Sequence, residues 1–200
     1  FPLFRPMAQR TLTTLHGRQD LPDLPVLYDG FDDMPLVSIS NAQRQPIAHA
    51  NFVTTVYHGL PLHLHKPTYA PRGGYLAFLG RICPEKRPDH AIAIARAAGL
   101  PLKIAAKVDR ADQDYYDEVI SPLIKSSPQV EFIGEIGDHE KSDFLSGAIG
   151  LLLPIDWPEP FGLVMIEAMA CGTPVIAYNR GSVAEIIDDG LTGFVVEDEI

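Results

Sequence analysis

Short apolar runs alternate with helix-length segments from residue 75 onward, and this alternation restricts the fold more than any other feature. The apolar runs fall at 75–79, 102–106, 130–133, 149–153, 174–178 and 194–196. The segments between them fall at 88–98, 112–125, 139–147, 161–170 and 182–188. A strand that is apolar on every residue is covered on both faces, and strands separated by helices pair in parallel through right-handed crossovers. The expectation is an α/β chain with a Rossmann-like, doubly wound parallel sheet. Pro88 suits a first helical turn, and Gly99 and Gly172 suit positions just past a helix end.

Residues 1–66 follow another regime. Their apolar runs, at 11–15, 36–39 and 52–57, are broken by Leu-Pro-Asp-Leu-Pro at 21–25 and by a polar segment at 41–46. They read as the closing elements of a separate α/β unit. The Pro- and Gly-rich stretch that follows reads as a linker, placed at 67–74, with a second unit over 75–200.

Charge and cysteine usage narrow the partners. The chain of 200 residues has 16 basic and 26 acidic side chains, a net charge of −10, carried wholly by the part beyond residue 66. No cluster of Lys and Arg offers the counterion-displacing surface that nucleic acid or an anionic membrane requires. No apolar run approaches the ~18 residues of a membrane-spanning helix, and the first residues carry no signal-peptide pattern. Cys83 and Cys171 stand far apart without a CxxC spacing, so a reducing cytoplasm is the default compartment.

In an open parallel sheet, ligands bind beyond the carboxyl ends of the strands. After the first strand of the second unit comes Gly80-Arg81-Ile82-Cys83-Pro84-Glu85-Lys86. A glycine frees the backbone there, and Arg81 and Lys86 form a candidate anion clamp, one as a fork and one as a point charge. Neither a G-x-G-x-x-G nor a P-loop pattern is present. After the fourth strand, a helix expected to open at Phe161-Gly162 offers free backbone N–H groups, and Gly162 admits a ligand close to that backbone. Glu159 precedes this helix, and Glu167 lies two turns into it among Met165, Ile166, Ala168 and Met169. A carboxylate in that setting needs hydrogen-bond donors, supplied by a cation or by ligand hydroxyls. Two cations, a helix start and two carboxylates suit a diphosphate joined to hydroxyl-rich groups, as in a nucleotide sugar.

The stretch Glu159-Pro-Phe-Gly-Leu-Val-Met-Ile-Glu167-Ala-Met-Ala-Cys-Gly-Thr-Pro resembles the signature of the retaining glycosyltransferases of family 4 (glycosyl transferases group 1), which have the two-domain GT-B fold. The resemblance continues in Gly80-Arg81…Pro84-x-Lys86, in 130–134, and in Glu185-x-x-x-Asp189-Gly190-x-Thr192-Gly193. Residues 13–17, 37–40 and 56–61 resemble the end of the acceptor-side N-terminal domain. The resemblance implies that Arg81 and Lys86 bind the donor diphosphate, with Gly80 beside them. It implies that Glu159 hydrogen-bonds the transferred sugar, that Glu167 accepts from ribose hydroxyls, and that the backbone of Phe161, Gly162 and Leu163 meets sugar and phosphate. Glu135 and Ile136 would touch the base, and His16 would reach the sugar from the acceptor side. The implied donor is a nucleotide-diphosphate sugar, a UDP-sugar by family frequency, used without metal or other cofactor and with retention of configuration. The acceptor is an unidentified sugar, lipid or small molecule, and an oligomer is left open. The family commonly has glycine after the lysine; Arg87 stands there, adding a third cation or reshaping the loop. The family has two full halves, so 200 residues read as a partial chain that ends at Glu199-Ile200 and lacks the glycine-rich loop of the first half.

Plainer readings stand beside these. Arg81 and Lys86 can be ordinary surface charges, Glu159 a solvated loop acid, Glu167 a partner of Arg180, and His16 a strand-end residue. His63-x-His65 offers two metal ligands without a third, so a linker face is the better reading. Trp157 can stack on a sugar or anchor its loop. Cys83 and Cys171 read as packing residues. A nucleotide-sugar-binding module without turnover is the alternative function.

Overall fold

The structure, a computed structural model, describes residues 2–69 and 73–197. Residues 70–72 of the expected linker, and the Glu199-Ile200 end, lie outside the described residues. The chain builds two all-parallel sheets.

The first sheet has three strands in sequence order: β1 (Thr13–Thr14), β2 (Leu36–Ser38) and β3 (Phe52–Thr55). Helix α1 (Leu24–Gly30) connects the first two, and a 3-10 turn (Ala42–Ile47) the second and third. Another 3-10 segment, Pro2–Arg10, precedes them. The reading of 21–25 as a break needs correction: Pro25 sits in the first turn of α1, where its missing N–H would have had no helical partner. The small core under this sheet holds Leu15, Tyr28, Leu36, Ile47 and Ala50.

The second sheet has six strands: β4 (Tyr75–Arg81), β5 (Leu102–Lys107), β6 (Val130–Gly134), β7 (Ala148–Leu153), β8 (Val175–Tyr178) and β9 (Gly193–Val196). Their spatial order is β6-β5-β4-β7-β8-β9. The order runs outward from β4 in one direction and then, from β7, in the other, which is the doubly wound arrangement expected. The connecting elements are α2 (Pro88–Ala98), a helical stretch with α3 (Gln113–Tyr115), a π turn (Tyr116–Ile120) and α4 (Ser121–Lys125), then α5 (Asp138–Ser146), α6 (Leu163–Ala170) and α7 (Val183–Ile186).

Burial on both faces explains the unbroken apolar runs. On β4, Leu76 and Phe78 join Ile92, Ala95, Ile104 and Ile120 on one side. Ala77 faces the other way, with Leu145, Leu151, Met165 and Ala168. Gly99 ends α2 with φ +65°, a left-handed conformation that costs glycine nothing. Helix α6 begins at Leu163, later than expected, because Gly162 takes φ +77° and breaks the helical path.

Leu151 is fully buried at the centre of β7, between Ala77 of β4 and Val175 of β8. Leu151→Ala is expected to destabilise the six-stranded unit by about 3 kcal/mol through lost burial and a residual cavity. Urea unfolding followed by the emission of Trp157 measures this directly.

Candidate functional site

Strands β4 and β7 lie side by side, but their outgoing connections pass to opposite sides, so a crevice opens at their carboxyl ends. The loops that follow these two strands form its walls. The first loop leaves β4 at Arg81, makes a 3-10 turn (Pro84–Lys86) and enters α2 at Pro88. The second runs from Pro154 to Gly162. They are tied together by the Asp156 N–H, which donates to the Glu85 carbonyl at 2.9 Å.

Lys86 and Glu159 meet across this crevice. The Lys86 ammonium hydrogen-bonds Glu159 Oε2, and Trp157 Nε1 donates to the same oxygen at 3.0 Å. Lys86 Nζ also lies 4.6 Å from the centre of the Trp157 ring. Glu159 is 7% exposed, so it is not a solvated loop acid. A carboxylate this buried is stable only because a cation and an indole N–H replace water. Trp157 anchors its loop, with Arg18 of the first unit 5.6 Å from its ring.

Backbone packing fixes this loop from behind. The Ser182 N–H donates to the Glu159 carbonyl at 2.9 Å, and Ser182 Oγ donates to the Phe161 carbonyl at 3.0 Å. Gly181, at φ +57°, lies so close that a Cβ there would fall 2.3 Å from the Glu159 nitrogen.

Arg81 is engaged at 3.7 Å with Asp109 and at 3.6 Å with Asp112, beyond the end of β5. Arg87, the position expected to carry glycine, has φ +50°, alone among the described non-glycine residues in taking a positive φ. Its guanidinium turns to Asp89 at 3.1 Å and Asp156 at 3.8 Å. Arg87 therefore pins the loop, and its charge is committed to two acids.

A cavity of about 360 Å³ lies beside these loops. Gly80, Glu135, Ile136, Lys141 and Glu167 are among its lining residues, so four sequence-predicted positions meet in one space. Glu167 pairs with Lys141 at 3.1 Å, not with Arg180, which lies 3.5 Å from Asp156. Lys141 also pairs with Asp138 at 3.1 Å. Burial opposes the Lys141 charge, but hydrogen bonds to Asp138 and Glu167 outweigh it and hold its pKa above the usual lysine value. Lys141 was missed by sequence reasoning; its spacing, three residues after Asp138 in the first turn of α5, was the available signal.

The first unit reaches the same crevice. His16 stacks on His58 with ring centres 5.3 Å apart, and His58 meets Phe161 edge-on at 5.0 Å. Burial, with His16 beside it, lowers the His58 pKa. His58 belongs to the 56–61 segment, but sequence reasoning gave it no role. Phe161 is 3% exposed. The remaining site positions, Gly162 and Leu163, stand at the start of α6 next to it.

The histidine pair and the two cysteines add no ligand set. His65 is buried at 6% exposure and has no partner for either ring nitrogen, so the linker-face reading is corrected. Among the described residues, no group of three His, Cys, Asp or Glu side chains is arranged to hold a metal ion. Cys83 and Cys171 are free and buried, and burial raises both thiol pKa values. No helix among the described residues is long and apolar enough to cross a membrane.

Known proteins are similar to this chain in sequence and in fold. The profile of the family described as glycosyl transferases group 1 matches residues 66–199. The alpha-maltose-1-phosphate synthase of Mycolicibacterium smegmatis is 31% identical over 126 residues, covering 60% of this chain and 32% of that protein. The phosphatidyl-myo-inositol mannosyltransferase of Propionibacterium freudenreichii is 31% identical over 170 residues, covering 78% of this chain and 42% of that protein. Anabaena HepE, solved in complex with UDP and glucose, superposes with a TM-score of 0.81 at 22% identity, covering 98% of this chain and 60% of that one, a likeness of fold. The chain thus spans well under half the length of these two curated relatives.

Two glycines test the packing behind Glu159. Gly181 and Gly190 both have positive φ, but a Cβ at Gly190 meets nothing within 4 Å. Gly190→Ala is expected to cost about 1 kcal/mol from backbone strain alone. Gly181→Ala should cost about 3 kcal/mol, because the clash with the Glu159 backbone adds to that strain. Urea unfolding of the two variants compares them; equal losses would remove the steric argument.

Proposed function

This chain belongs to the glycosyl transferases group 1 family, and from that premise we propose that it supplies the donor side of an enzyme that moves a sugar from a nucleotide-diphosphate sugar to an acceptor. The observation that carries this reading is the cavity where Glu167, Glu135, Ile136 and Gly80 meet at the carboxyl ends of the strands. In this reading the ribose hydroxyls donate to the Glu167 carboxylate, and the Lys141 ammonium relinquishes part of its contact with Glu167 to a ribose oxygen. The base lies against Glu135 and Ile136. The diphosphate reaches Arg81 and Lys86, whose positive charge stabilises the leaving group; the protein supplies this charge without a metal ion.

Glu159 holds the sugar. Its carboxylate is already fixed by Lys86 and Trp157 Nε1, so it presents a preorganised acceptor to sugar hydroxyls. His16 reaches the sugar from the first unit. Departure of the nucleoside diphosphate breaks the anomeric C–O bond, and the acceptor hydroxyl attacks the same face. That gives retention, with the acceptor proton passing to the departing phosphate. UDP is the favoured nucleotide, and the acceptor is a sugar, lipid or other small molecule. The reaction belongs to the cytoplasm. A module that binds the nucleotide sugar without turnover is the second reading.

Calorimetric titration with UDP, GDP and ADP, beside a donor-hydrolysis assay, separates these readings. Binding with hydrolysis supports the enzyme, binding alone supports the module, and no binding of any nucleotide sinks both. Glu167→Ala is expected to weaken nucleoside-diphosphate binding about tenfold, roughly the 1.4 kcal/mol of a lost hydrogen bond to a charged group. Glu159→Ala should change it by less than about threefold, since Glu159 faces the sugar. The reverse order would overturn the assignment of roles.

A further inference from the structure

One acid of the six-stranded unit reaches into the three-stranded one. Glu185, on α7, accepts from the backbone N–H of Asn41 at 2.8 Å and of Ala42 at 2.5 Å. Tyr57 Oη donates to the same carboxylate at 2.9 Å, and this hydrogen bond raises the Tyr57 pKa. The two backbone groups open the 3-10 turn Ala42–Ile47, whose first N–H groups have no partner within the turn. The Asn41 side chain makes no cap there; Ser40 Oγ accepts from the Gln43 N–H at 2.9 Å, and an acid from the other unit caps the two N–H groups before it.

The next residue carries the contact onward. Gln43 is 4% exposed, and its side chain is fully used. Nε2 donates to the carbonyls of Leu15 at 3.1 Å and Gly17 at 2.9 Å, while Oε1 accepts from the Ile39 N–H at 2.9 Å. Leu15 and Gly17 flank His16. The turn that Glu185 caps therefore grips the backbone on both sides of the histidine that stacks toward Phe161 through His58.

We propose that Glu185 is a positioning residue for sugar recognition: through Ala42 and Gln43 it sets His16 over the donor site, so that the closure of the two units and the placement of His16 are one event. This rests on the reading that His16 faces the transferred sugar. The relay is two sets of hydrogen bonds joined through the backbone between Ala42 and Gln43, and its far end has little freedom, since Gln43 and Leu15 are both buried. Tyr57 and His58 add ring contacts to Phe161, at 6.0 Å and 5.0 Å, that close the same interface beside the relay. A nucleoside diphosphate that fills only the Glu167 cavity does not require the relay, whereas a sugar extending to His16 does.

The test uses the 200-residue chain and two readouts. In amide hydrogen exchange, Glu185→Ala is expected to speed exchange at least tenfold in segment 39–47 and in segment 15–19, with β4 and β5 unchanged. Glu185→Gln keeps the shape but sets an amide N–H₂ against two N–H donors, and should act in the same direction if the alanine variant folds poorly. In calorimetry with UDP, GDP and their glucose or mannose conjugates, Glu185→Ala should raise the Kd of the sugar nucleotide at least fivefold and that of the nucleoside diphosphate by less than twofold. Gln43→Ala should reproduce this split, and the double variant should add little to either single one. Unchanged exchange at 15–19, or equal loss for both ligands, overturns the proposal. If the unaltered chain binds no nucleotide, the donor-site reading fails, and the exchange at 15–19 alone decides the relay.

Discussion

Two neighbouring parallel strands, β4 and β7, whose connections depart to opposite sides, are the constraint on which the site depends. A crossover helix must cover one face of the sheet, so a sheet wound both ways leaves a gap where the direction changes. The loops after β4 and β7 cannot be bridged by a helix there. They face each other, and the residues they carry at their tips are brought within hydrogen-bond reach. Lys86 and Glu159 are 73 positions apart in the chain and share a hydrogen bond for this reason alone.

Buried carboxylates dominate the chemistry of that gap. Glu159 and Glu167 are both nearly inaccessible, and each has one lysine against it. Removing one partner of such a pair leaves a stranded charge, so these pairs hold their geometry firmly. They differ in what surrounds them. Glu159 is held by a loop that is itself pinned by Ser182, Gly181 and Arg87, and Glu167 opens onto a cavity beside a lysine already shared with Asp138. The first arrangement suits a fixed recognition point, and the second suits a ligand that competes for a shared cation.

The doubly wound parallel sheet, the double burial of its strands and the two carboxylates at 159 and 167 were legible in the sequence. Apolar runs such as 149–153 specify two-sided burial, and a glutamate among Met165, Ile166, Ala168 and Met169 announces an unusual requirement. Boundaries were less legible. Helix α6 starts late because the backbone at Gly162 turns left-handed, which composition does not reveal. Helix α1 was missed because the prolines at 22 and 25 were read as a break, although the second sits in a helical first turn. Arg87 stands where the family commonly has glycine, which was the sign of its left-handed φ; its ion pairs with Asp89 and Asp156 were not legible.

The partners of charged and polar groups were beyond the reach of the sequence. Glu167 was matched to Arg180 as its plain partner, and the fold gave it Lys141 instead, because α5 packs beside α6 while Arg180 follows β8 toward Asp156. Glu185 lay within a recognised motif, yet its hold on Asn41 and Ala42 joins residues more than 140 positions apart. Such pairings follow from where whole elements come to rest, which is set by the packing of two sheets and not by any local pattern. The sequence by itself determined the kind of fold, the edge of the sheet where the crevice opens, and the residue types gathered there. Tertiary structure alone decided which carboxylate meets which cation, and how His16 stacks on His58 against Phe161, because these depend on side-chain distances between elements that the chain order leaves free.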